Sequence, residues 1–130
     1  EMEANRSYIA AQSKISALAM ATQSFCFAQH PDFHNLSDDK IKRHLAFCKS
    51  EAAGLFEQIE QLTNGKGISI VEAPLPHNKF RTALKKHILG LSYEHFPQLL
   101  DLEIEQIQKF DLAVEHLSKR LLEEIDRLKG

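Results

Sequence analysis

No apolar run in this chain approaches the ~20 residues needed to cross a bilayer, so no transmembrane segment is expected. The apolar stretch Ile15–Ala21 is short and follows Gln12 and Lys14, which fits neither a span nor a signal peptide. An excess of one charge is also missing. Sixteen Lys and Arg stand against 18 Asp and Glu, a net charge of -2, so nothing draws the chain in bulk toward nucleic acid or anionic lipid. Only two cysteines occur, Cys26 and Cys48, too few for a disulfide framework. Glycine and proline are scarce, at five and four, and they cluster between periodic stretches. There is no internal repeat, no glycine-rich phosphate loop, and no serine or cysteine nucleophile beside a base in a recognisable motif. Neither an enzyme nor a cofactor is expected on these grounds.

What the chain does have is apolar periodicity. Ile41, Leu45, Cys48, Ala52, Leu55, Ile59 and Leu62 alternate steps of four and three, which places one apolar seam along a helix. The flanking Phe47 and Phe56 widen that seam beyond a two-stranded coiled-coil stripe, so it is read as the central stave of a compact bundle. Hydrophobic content of 43% and charged content of 26% over 130 residues suit one soluble globular domain with a real core.

The expected elements are four helices, over about 4–29, 38–64, 79–96 and 97–129. In the first, Tyr8, Ala11, Ile15, Leu18 and Phe25 follow the heptad, Thr22 is its weak member, and Pro31 ends it. Ser37 caps the second, ahead of Asp38 and Asp39, and Asn64-Gly65 closes it. Residues 65–76 form an ordered crossing loop, because Pro74 and Pro76 break any strand; Ile68, Ile70, Val71 and Leu75 should cover one end of the bundle. Asn78 caps the third helix, whose stripe is Phe80, Leu84, His87 or Ile88, and Leu91. The fourth carries Leu100, Ile104, Ile107, Phe110, Val114, Leu117, Leu121, Ile125 and Leu128, with Glu105–Lys109, Glu115–Lys119 and Glu123–Arg127 as i,i+4 pairs. Running from Pro97 it would be about 50 Å long and overhang its neighbours. The fold class is all-α: an antiparallel four-helix bundle, up-down-up-down, with a long C-terminal helix and an ordered crossing loop between helices two and three.

Candidate chemistry is sparse. His30, His34 and His44 bracket the first loop, with Asp32 among them, and carry the residue types of a metal site on a proline-broken backbone. Lys79, Arg81, Lys85, Lys86 and His87 form a basic stretch free of acids, able to dock an acidic partner or anion or to complement an acidic fourth helix. His87, Leu91 and His95 stack at i,i+4 beside Glu94, an arrangement that could titrate near neutrality.

His77, opening helix three with Cys48 upstream, resembles in outline the zinc-binding helical domain of some bacterial chemoreceptors and diguanylate cyclases. Arg81 stands where that family's second histidine would be, helix one offers no ligand, and the cysteine lacks the family's glycine-rich signature, so no relationship is drawn. Arg81 and His87 have a spacing similar to the Arg-x(5)-His of helical HEPN ribonucleases, which implies an arginine and a histidine flanking a scissile phosphate across a dimer. Thr82 replaces the Asn or Asp common after that arginine.

The expected function is a non-enzymatic helical binding module, a sensory or protein-interaction domain of a signalling protein. The alternative is a metal- or anion-binding helical protein, HEPN-like ribonucleases included. The partner would be a protein or small ligand, nucleic acid is not expected, and a homodimer would use the Ala/Ser-rich face of helix one and the overhang of helix four. The opening Glu1-Met2 and closing Lys129-Gly130 fit a segment of a longer protein.

Overall fold

The computed structural model describes residues 2–70 and 75–130. The described residues form four α-helices: α1 (Met2–Gln29), α2 (Asp38–Thr63), α3 (Lys79–His95) and α4 (Ile104–Lys129). Short 3-10 turns lie at Phe33–Asn35 and Pro97–Asp101. The α2 and α3 starts are capped as expected, with the Ser37 hydroxyl accepting from the Lys40 N–H at 3.3 Å and the Asn78 side-chain Oδ1 accepting from the Arg81 N–H at 2.8 Å. Gly65, at φ 79°, takes the left-handed conformation that ends α2.

Helix α1 packs on α2 and α3, and α4 packs on α2 and α3, so α1/α4 and α2/α3 stand at opposite corners of a square. Every neighbouring pair is antiparallel. The Gln23 side-chain amide donates to the Ile41 carbonyl near the top of α1 and α2. Phe25 and His30, also at the top of α1, meet Phe80 at the start of α3, while Lys14 lies 5.0 Å over the ring of Phe96 at the far end. Lys129 at the end of α4 returns to Asp32 at 2.7 Å.

Helices α2 and α3 therefore run in the same direction, and the order is up-down-down-up rather than the up-down-up-down expected. The cause is the long α2–α3 connection, which carries the chain back along the bundle before α3 begins. Ile68 is buried on that route and Ile70 packs against the core; Val71 and Pro74 lie outside the described residues.

The fourth helix starts at Ile104 and not at Pro97. Glu103 and Gln106 form a capping box there, and Leu99 anchors the preceding 3-10 turn in the core. At 26 residues, or ~39 Å, α4 equals α2 in length, short of the ~50 Å expected, and is longer than the 17-residue α3 beside it. Leu100 and Ile104, assigned to its apolar stripe, are 69% and 75% exposed. The predicted i,i+4 pairs are replaced by Lys119–Glu123 at 3.8 Å, an Arg127–Glu124 pair, and the inter-helix pairs Arg120–Glu51 and Lys85–Asp111 at 2.6 and 2.7 Å.

The core holds Leu18, Cys26, Ile59, Leu84, Ile88, Phe96, Phe110, Leu121 and Ile125, nearly all sealed from solvent. Buried hydroxyls satisfy themselves within their own helices: Thr22, Ser92 and Ser118 donate to the carbonyls of Leu18, Ile88 and Val114. Among the described residues no buried side-chain polar atom lacks a partner. No helix of the described residues is long and apolar enough to cross a membrane.

Candidate functional site

The histidines of the first loop part company in the fold. His44 is wholly buried on α2, where its ring stands edge-on to Phe33 and its Nδ1 lies 3.6 Å from the Cys48 sulfur and 3.4 Å from the Gln23 amide. His30 is buried at the C-terminus of α1, edge-on to Phe80, and its Nδ1 accepts from the Asp32 N–H at 3.1 Å. His34 is exposed, with its ring against Phe27. Among the described residues no group of three or more His, Cys, Asp or Glu could hold a metal ion, so the structure does not bring His30, His34 and His44 into one site.

Burial governs the electrostatics of this end of the bundle. It lowers His44 from 6.5 to about 4, against the opposing pull of the Glu124 carboxylate, so His44 is a neutral imidazole near pH 7. His30 is lowered by the same cause. Both cysteines are free and buried. Loss of solvent pushes the Cys26 thiol up to about 12 and raises that of Cys48 further. Neither is a thiolate, so neither is a nucleophile or a soft metal ligand as it stands. Asp32 is held below the usual carboxylate range by the hydrogen bond from Lys129.

The basic stretch of α3 is divided among different neighbours. Lys85 reaches Asp111 at 2.7 Å and Glu115 at 3.8 Å and is spent on holding α3 to α4. The Arg81 guanidinium donates to the Pro76 carbonyl, and the His87 ring stacks on Phe25 with centroids 4.7 Å apart. Arg81 and His87 thus face different parts of the fold. Lys79 and Lys86 are exposed, and His95 is half-buried in the last turn.

The surface feature that stands out lies on α1. Between Ser7 and Gln29 that helix carries a single charge, Lys14, which lies over the Phe96 ring. Its outward stripe is Ile9, Ser13, Met20, Ser24 and Phe27, all exposed; Ile9, Met20 and Phe27 are 61%, 58% and 48% accessible. Tyr8, assigned to the core by its heptad position, is 66% exposed as well. The Ala/Ser content of the helix pointed to this face, but the large apolar residues on it were not picked out.

Comparison with family models, with curated proteins and with solved structures finds no match.

Proposed function

We propose that this chain is a non-enzymatic helical module that acts by binding another protein, and that the outward face of α1 is where it binds. The observation that carries the reading is the uncharged, partly apolar surface from Ile9 to Phe27. A solvated helix face ordinarily carries Lys, Glu and Asp, as the outer faces of α2 and α4 do here. Contiguous exposed apolar residues rimmed by polar ones are characteristic of interaction sites. Phe27 at one end of the face also packs edge-on against the buried Phe33, while Ile9 and Met20 stand exposed outside the core.

The test is site-specific photo-cross-linking in the native cell, with p-benzoylphenylalanine placed at Met20 or at Phe27. The expected result is one discrete adduct of the same mass from both positions, and none from the exposed Lys86 position on α3. No discrete adduct from position 20 or 27, or an equal yield from position 86, would overturn the reading.

A further inference from the structure

We infer that the partner of this face is a second copy of the chain, docked antiparallel across the joint outer surface of α1 and α2. The inference rests on the binding role just proposed and gives that role its occupant. Past the first turn of α2, where Asp38 and Asp39 are exposed beside the N-cap, the exposed charges are segregated: Lys42, Arg43 and Lys49 occupy the half near the first loop, while Glu57 and Glu60 occupy the other half. Among the described residues none of the five makes an ion pair. Between them the outward surface is small: Ala46, Ser50 and Gly54, with open space around Gly54. When a copy of α2 lies alongside in the opposite direction, each of these basic stretches meets an acidic one, with Arg43 opposite the partner's Glu60.

The α1 stripe has the same self-complementarity in shape. Turned end for end about its middle, Ile9 falls opposite the partner's Phe27, so apolar residues meet at both ends, and Met20 falls opposite the partner's small Ser16. The midpoint of Ile9 and Phe27 is Leu18. The midpoint of Arg43 and Glu60 lies between Glu51 and Ala52. Leu18 and Ala52 line the same small core void, which places them at one height in the bundle. A single two-fold axis, lying across both helices at that height, therefore satisfies α1 and α2 together, as an isologous interface requires. Two adjacent helices ~40 Å long and ~10 Å apart present about 800 Å² per copy, the size of a standard stable interface. With no charge on its outward stripe, α1 brings no repulsion to the contact, and the α2 charges set its direction.

Equilibrium sedimentation of the purified chain from about 1 to about 200 μM tests this. The expected result is a species of twice 14.8 kDa whose dissociation constant rises severalfold between about 50 and about 500 mM salt. Met20→Lys should give a folded monomer. Arg43→Glu should weaken the dimer by at least about tenfold, and Arg43→Glu combined with Glu60→Arg should restore it, since both symmetry-related pairs are then re-formed with signs exchanged. Circular dichroism and melting of each variant separate loss of association from loss of fold. A wild-type chain monomeric at about 200 μM overturns the proposal, as does a dimer indifferent to Met20→Lys and Arg43→Glu, or a charge swap that fails to restore association. A monomeric chain that still cross-links from positions 20 and 27 to a protein of another mass defeats the homodimer and leaves the binding role standing. Absence of any adduct defeats both.

Discussion

His44 occupies a core position as a neutral base, and the cost of charging it there sets a pH dependence. In the unfolded chain it titrates near 6.5; in the fold, burial against Phe33, Cys48 and Gln23 lowers that to about 4 despite the nearby Glu124. Between these values the unfolded state binds the proton and the native state does not, so falling pH favours unfolding. The stabilising share of His44 is complete above pH 6.5, declines as pH falls, and is lost below about 4. At ~1.4 kcal/mol per pH unit the loss is on the order of 3 kcal/mol. Urea unfolding from pH 7 to pH 4 should show a flatter stability profile for His44→Leu than for the wild type. The Gln23 amide keeps its acceptor at Ile41 in that variant, and the other partner lost is the weakly hydrogen-bonding Cys48 thiol. Parallel profiles would show that the acid sensitivity lies elsewhere. The two thiols give a companion expectation. Cys26 and Cys48, buried and protonated, should resist a disulfide reagent in the native protein and both react in denaturant. Fast labelling of either in the native state would contradict the packing of this pole.

At the scale of elements, the start of α4 shows what sequence periodicity can and cannot carry. The stripe from Phe110 to Leu128 was legible and is buried, because steps of three and four identify a face wherever a helix exists. The same steps continue backward through Ile104 and Leu100, yet those residues are exposed. Pro97 drew the boundary too early, because the box that starts the helix uses Glu103 rather than the more familiar Ser or Thr. A similar slip occurs in α2, where His44 and not Leu45 takes the buried position; a heptad specifies a seam but not which neighbour covers its first turn. Tyr8 fails as well: it is exposed, although its neighbours Ser7 and Ala11 line a groove with Phe56, Thr63 and Phe96. The site was less legible than the fold. The basic stretch of α3 looked like one patch in sequence, but a helix turns successive residues to different sides, and Asp111 claims Lys85. Glu103→Ala should cost about 1 kcal/mol in urea unfolding and fray the first turn of α4, visible as faster amide exchange at residues 104–107. An unchanged midpoint with unchanged exchange would show that Leu99 and the 3-10 turn alone hold the helix start.

For the whole molecule, the decisive feature is the direction of α3, which no local pattern encodes. A helix with the apolar stripe of α3 could pack in either sense. What selects one is the connection between Thr63 and Lys79, which places Phe80 beside Phe25 and His30 at the top of α1 and Phe96 at the bottom. Returning along the 17-residue α3 requires a reach of ~25 Å, which needs at least ~8 extended residues. The existing segment exceeds that, and lengthening it further adds only a few tenths of a kcal/mol of closure entropy. Replacing residues 65–77 by two Gly/Ser residues leaves four connecting residues, too little chain for the return. That variant should lose cooperative melting, because α3 can then enter only from the opposite end, with Phe80 and Phe96 exchanged in height against partners of the wrong shape. Inserting four Gly/Ser residues after Gly67 should leave the melting temperature within a few degrees of the wild type. If the shortened chain instead melts cooperatively, with its Phe25–Phe80 contact intact by nuclear Overhauser effect, the connection does not set the topology. In that case the packing of Phe25, Phe80 and His87 would have to select the direction of α3 unaided.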